Sequence, residues 1–208
     1  MSKNKKTKAE VSESKIAKAL PYVLIFCGIV GLVASFVLTY DKIQVLKDPG
    51  YSPPCNINPV LSCGSVMKTE QASLFGVPNT IFGLMGFTAL ITFGFLQISG
   101  AKFKKWIWQS AQLISTFGVI FMHYLFIQGV FRINAICPWC FVTWMITIPI
   151  FVFITAYNLE NKLVPLPSWA KRLYEFIPKN YLNILLGWYT IIFLILLQHF
   201  WYYWQTLI

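Results

Sequence analysis

Five long apolar runs, none broken by a charged side chain, divide this chain. They cover residues 20–40, 79–98, 108–128, 137–157 and 182–203. Apolar positions fill every face of these runs, without the charged stripe of a helix at a water-exposed surface. At about 1.5 Å rise per residue, a run of about 20 residues spans about 30 Å, the thickness of a bilayer's hydrocarbon core. The pattern predicts an all-α integral membrane protein with five membrane-crossing helices.

The connections differ in character. Residues 41–78 hold Pro49, Gly50, Pro53, Pro54, Pro59 and Pro78, which predicts turns and short pieces rather than one long helix. Within it, residues 66–75 have some amphipathic character, expected as a short helix lying on the membrane surface. Residues 158–181 carry Pro165, Pro167 and Pro178 and read as a polar linker. The expected organisation is a basic tail (1–19), the first four helices (20–157) with their loop (41–78), the linker, and a fifth helix (182–208).

Composition narrows the class. The 208 residues are 57% hydrophobic and 12% charged, against about a quarter charged in soluble domains. A chain this apolar cannot cover a soluble surface, which excludes a monomeric cytosolic enzyme. The net charge of +10 reads as lysines held at a cytoplasmic face rather than as a nucleic-acid footprint. Lys3, Lys5, Lys6, Lys8, Lys15 and Lys18 precede the first run, Lys102, Lys104 and Lys105 follow the second, and Lys162, Lys171, Arg172 and Lys179 follow the fourth. The alternate connections hold only Lys42, Lys47, Lys68 and Arg132. This bias places the amino terminus inside, and the loop 41–78, the third connection and the carboxyl terminus outside. The first run is too long for a cleaved leader and lacks a small-x-small cleavage site, so it reads as a retained anchor.

Four of the five cysteines then fall on the outer, oxidising side. Cys55 and Cys63 lie in the long loop, and Cys137 and Cys140 form C-P-W-C at the start of the fourth run. Thiols at i and i+3 of a helix start share a face, the helix dipole favours a thiolate there, and Pro138 suits the first turn. That is how a redox-active pair is built, because the thiolate is the species that exchanges. Two structural disulfides and a four-thiolate zinc site compete with this reading. Cys27, mid-run and without a partner in sequence, reads as a small buried hydrophobe.

A dithiol at a membrane edge needs a place for two electrons, and a quinone is the lipid-soluble carrier. It needs an apolar, aromatic-walled pocket with a few polar groups. Asn79 at the mouth of the second run, Phe82 three residues on and Trp144 four residues after Cys140 are the candidates. A helix cap competes for Asn79, and packing for the two aromatic residues. His123 and His199 read as packing histidines.

The pattern C-x7-C in the loop, then F-G-V-P-N-T-I-F-G opening the second helix, then C-P-W-C opening the fourth, resembles the vitamin K epoxide reductase family over about residues 20–157. The resemblance is to bacterial-type members without a fused thioredoxin-like domain, since the 208 residues end just past the fifth helix. It implies a four-helix bundle around a quinone (ubiquinone or menaquinone), a separate thioredoxin-like partner on the outer face, and a bacterial plasma (inner) membrane. It further implies that Cys140 reduces the quinone, Cys137 is its disulfide mate, Cys63 exchanges with Cys137, and Cys55 meets the partner. Asn79 takes the place of a quinone-binding asparagine, and Thr69 matches a Ser/Thr position in the loop. Trp144 stands where animal members have tyrosine, which favours plain quinone reduction over epoxide chemistry. The implied function is a membrane thiol-disulfide oxidoreductase that oxidises its partner. Vitamin K reduction proper and a non-enzymatic scaffold with structural disulfides are the alternatives.

Overall fold

The computed structural model describes residues 14–48, 50–74 and 76–205. Most of the basic tail, including Lys3, Lys5, Lys6 and Lys8, lies outside the described residues, as does Phe75 of the loop motif. The five long helices are α1 (Lys15–Lys47), α3 (Asn79–Ile98), α4 (Lys105–Ile127), α5 (Pro138–Glu160) and α6 (Leu173–His199). Two short helices, α2 (Cys63–Met67) and α7 (Trp201–Trp204), complete the set. All five long helices are long and apolar enough to cross a membrane, so the protein is an all-α membrane bundle. Large apolar side chains such as Phe26, Phe36, Leu113, Ile120 and Phe193 are exposed on its outer faces, as expected where lipid is the solvent.

α5 is the central helix, packed by α1, α4 and α6, while α3 packs on α1. α1 buries a stripe of Leu20, Leu24, Cys27, Gly28, Gly31, Ala34, Ser35, Leu38 and Asp41, spaced by three and four. That spacing keeps one side of a helix against its neighbours. Cys27 is buried among core residues, as its position in the run suggested. Polar side chains tie the helices: Asn158 of α5 donates to the Trp108 carbonyl and to Gln112 Oε1, each at 3.1 Å, and Tyr189 of α6 donates to the Met145 carbonyl at 2.6 Å. His123 bonds the Val119 carbonyl through Nδ1 at 2.7 Å and accepts from Trp188 Nε1 at 2.9 Å. Both ring nitrogens are thus occupied in packing.

Several boundaries differ from the sequence expectation, among them the start of α1 at Lys15 rather than residue 20. α1 continues past residue 40 through D-K-I-Q-V-L-K, because Asp41 and Lys42 find partners in the loop that folds over them. The fifth helix starts at Leu173 rather than 182, with Pro178 and a non-helical Asn180 marking a kink between its first turns and the membrane run. The segment 66–75 is not one helix: α2 ends at Met67, and a 3-10 turn, Glu70–Ser73, follows.

Close approach of α1 and α3 depends on small residues. A Cβ at Gly94 would stand 2.9 Å from the Pro21 carbonyl oxygen and 2.7 Å from Ile25 Cγ1, whereas one at Gly86 would meet nothing within 4 Å. We therefore expect Gly94→Val to lower stability by about 1–3 kcal/mol through overpacking, and Gly86→Ala to leave it unchanged or slightly raised. Thermal unfolding of the two purified variants in detergent checks this.

Candidate thiol-disulfide site and apolar cavity

The loop between α1 and α3 folds back on itself through side-chain clamps. Asn58 Oδ1 accepts from the backbone N–H groups of Val60 and Leu61, closing a turn. Asn56 Oδ1 accepts from the Gly64 N–H at 2.8 Å and the Ser62 hydroxyl at 3.1 Å, holding the start of α2. Ser62 caps α2 by accepting from the Ser65 N–H. Lys42 Nζ donates to the Met67 carbonyl at 2.6 Å, fastening the other end of α2 to α1.

The third connection approaches from the opposite side. α4 runs into a π turn, Gln128–Ile133, and Asn134 at φ 54° reverses the chain. Left-handed backbone of this kind suits asparagine better than most residues. Residues 60–62 then pair with Ile136 in a parallel bridge: Ile136 N–H donates to the Val60 carbonyl at 2.7 Å, and Ser62 N–H to the Ile136 carbonyl at 3.0 Å. This two-bond bridge sets Cys63 beside Cys137.

The sulfur atoms follow from that register. Cys55 and Cys63 form a disulfide, and Cys137 and Cys140 are free thiols. Cys137 Sγ lies 3.2 Å from Cys63 Sγ. Cys63 and Cys137 are almost wholly buried, while Cys55 keeps 8% of its surface. Cys137 caps α5, its sulfur accepting from the Cys140 N–H at 3.4 Å, with Pro138 in the first turn. A hydrogen bond from the Cys140 thiol, and then the Cys140 and Trp139 amides, hold the Cys137 thiol below its ordinary pKa against the opposing effect of burial.

Below the sulfurs lies a mostly apolar cavity of about 100 Å³. Cys137, Cys140, Asn79 and Trp144 line it, together with Lys42 and Gly83. Trp144 is 5% exposed, and among the described residues its indole N–H has no hydrogen-bond partner. An orphaned buried donor costs about 1–3 kcal/mol, so this one is suited to an acceptor arriving in the cavity.

Asn79 is neither a bare ligand arm nor the cap of α3. Its Nδ2 donates to the Gln71 carbonyl at 2.6 Å, and its Oδ1 accepts from the Leu74 N–H at 3.1 Å. It holds the 3-10 turn over the cavity and keeps one amide hydrogen and one oxygen lone pair to spare. Thr69 folds its hydroxyl onto the Val66 carbonyl at 2.7 Å, bracing the link between α2 and that turn. Phe82 is not brought to the cavity: it is 41% exposed and absent from the lining. The cavity face of α3 runs through Asn79, Thr80 and Gly83, and at about 100° per residue position 82 points about a third of a turn away.

Sequence reasoning passed over Asp41, Lys42 and Asn56. Asn56 directly follows Cys55 in C-N-I-N, and an Asx clamp there was a readable signal. Asp41 and Lys42 were hidden by placing the end of α1 at residue 40.

No curated protein matches this chain significantly. The vitamin K epoxide reductase family matches residues 22–155, which takes in α1 through most of α5 and all four of these cysteines. The chain belongs to the vitamin K epoxide reductase family.

Proposed function

We propose that this protein is a membrane thiol oxidase that takes two electrons from a thioredoxin-like dithiol partner and delivers them to a quinone. The observation that carries the reading is the line of sulfurs: a Cys55–Cys63 disulfide, a Cys137 sulfur 3.2 Å from Cys63, and Cys140 at a cavity whose one buried indole donor is unsatisfied. The cavity residues suit a quinone. Trp144 Nε1 and the spare Asn79 amide hydrogen are donors for its carbonyl oxygens, and the walls are apolar. A bound quinone supplies a sink for two electrons and two protons.

The residues of the chain do the rest. A partner thiolate attacks Cys55, the more accessible sulfur of the loop pair. The Cys55–Cys63 bond breaks, and Cys63 leaves as a thiolate. With Cys137 and Cys140 joined as a disulfide, Cys63 attacks Cys137, and Cys140 is released as a thiolate at the cavity. The partner's second thiol then frees Cys55, which attacks Cys63. This restores the loop disulfide and leaves Cys137 reduced, the arrangement the structure holds. Each exchange makes one S–S bond and breaks one, so two electrons move inward per cycle. The charge bias of the connections supports placing the cysteines on the outer side of a bacterial plasma membrane with the amino terminus in the cytoplasm. The matched span agrees with reading residues 20–157 as the working bundle and the fifth helix as an addition. Asn79 and Thr69 act here by holding the loop over the cavity.

Two outcomes test the reading. Cys140→Ala keeps the Cys55–Cys63 disulfide but abolishes quinol formation when reduced partner and a soluble quinone are mixed anaerobically. It also moves the onset of Cys137 alkylation to higher pH, because the hydrogen bond that most favours the Cys137 thiolate is gone. Trp144→Phe keeps thiol exchange but raises the KM for quinone about tenfold, the loss of one hydrogen bond in a dry site. Unchanged quinol formation in Cys140→Ala overturns the proposed route.

A further inference from the structure

Asp41 is a carboxylic acid in an unusual place. It is 3% exposed near the end of α1, where burying an acidic side chain is costly unless its oxygens are used. Among the described residues the ion pair found is Lys179–Glu175, so no lysine or arginine balances Asp41. Lys42, its neighbour in sequence, points to the Met67 carbonyl instead. One Asp41 oxygen accepts from the Tyr51 hydroxyl at 2.9 Å. The other lies 3.9 Å from Cys55 Sγ.

In the structure Cys55 is half of a disulfide and has no proton to give. The contact gains a purpose when Cys55 is reduced. A Cys55 thiol then faces a carboxylate oxygen within reach of an S–H hydrogen bond, and a Cys55 thiolate faces a buried negative charge. Every pass through the cysteines converts Cys55 between these forms, in a site that shuts out most water. The proton lost or gained needs a local acceptor.

We propose that Asp41 carries the proton for Cys55. This rests on the cysteine relay above and assigns the proton's place in it. When the Cys55 thiol attacks Cys63 of a Cys63–Cys137 disulfide, the Cys55–Cys63 bond forms and the Cys63–Cys137 bond breaks. Cys137 leaves as a thiolate, held by the Cys140 thiol and the amides of α5. The Cys55 proton passes to the Asp41 carboxylate. In reverse, the Cys137 thiolate attacks Cys63 across the 3.2 Å gap, and Cys55 is expelled and takes its proton back from Asp41. No outside oxidant or reductant enters either step. The negative charge moves between Asp41 and Cys137 and never resides on Cys55 beside an ionised carboxylate. Tyr51, by holding the first oxygen, turns the second toward Cys55.

The titratable groups that face Asp41 are Tyr51 and Cys55 of the loop and, at longer range, Cys137 at the start of α5. The experiment isolates the exchange from quinone chemistry. Full-length Cys140→Ser protein carrying one disulfide is jumped from about pH 5 to a series of final values between about pH 6 and about pH 9.5, a range that spans thiol ionisation. Acid-quenched samples are resolved by non-reducing peptide mass spectrometry into Cys55–Cys63 and Cys63–Cys137 isomers. The expected result is relaxation at least about tenfold slower in Asp41→Asn than in the parent at the lower final pH values, the gap closing as hydroxide takes over. Tyr51→Phe, which keeps the carboxylate, stays within about threefold of the parent, and heavy water slows the parent by about twofold. Asp41→Asn relaxing at the parent rate across the range overturns the proposal, as does Tyr51→Phe reproducing the full Asp41→Asn loss or a parent without an isotope effect. A parent that never forms the Cys63–Cys137 isomer overturns the relay itself, and the proton role with it.

Discussion

The distance between two sulfur atoms governs this molecule. Thiol-disulfide exchange needs the attacking sulfur nearly in contact with the bond it breaks, and Cys137 lies 3.2 Å from Cys63 across 74 residues of sequence. Holding the reacting atoms together removes the translational cost of an encounter. Most features of the cysteine end of the bundle serve that contact. The parallel bridge at Ile136 sets the register. Asn56, Ser62 and Lys42 hold α2 at both ends. The π turn and Asn134 return the chain from α4 to the cap of α5.

The same end of the bundle runs from the loop to the cavity. Cys55 keeps a little exposed surface, Cys63 and Cys137 keep almost none, and Cys140 is half-buried at an apolar cavity. A charge moving along this line meets little water at Cys63 and Cys137 and must be met by fixed dipoles instead. The amide and thiol of Cys140 do this for Cys137. Trp144 lines that cavity, and among the described residues its buried indole N–H is unpaired. Asp41 stands at the cysteine end of the bundle, beside Cys55, where the proposed exchange begins.

The fold was largely legible in the sequence because lipid imposes a coarse rule: an uncharged run of about 20 residues is a membrane helix. All five runs appear as helices. The pairing of Cys63 with Cys137 was legible only through the family pattern, since no local rule pairs residues so far apart, whereas Asn79 and Trp144 were grouped by the kind of pocket a quinone needs. Phe82 shows the limit of spacing arguments: three residues from Asn79 placed it near the cavity, but the cavity face turns through Gly83 instead. The role of Asn79 was half visible. Its amide was expected to serve a ligand or a cap, and it holds the loop backbone of Gln71 and Leu74. Asp41 was invisible for a plain reason. Charged residues after an apolar run look like the end of a helix, and only a loop folding back over them gives them a buried function.

The most direct test of the central contact is a double variant, Cys55→Ser with Cys140→Ser, which leaves Cys63 and Cys137 as the only pair at the outer end. Mild oxidation of the full-length protein in detergent, followed by non-reducing peptide mass spectrometry, reads whether they join. The account predicts near-quantitative Cys63–Cys137 disulfide within one chain. Two free thiols after oxidation, or disulfides formed only between chains, would contradict it.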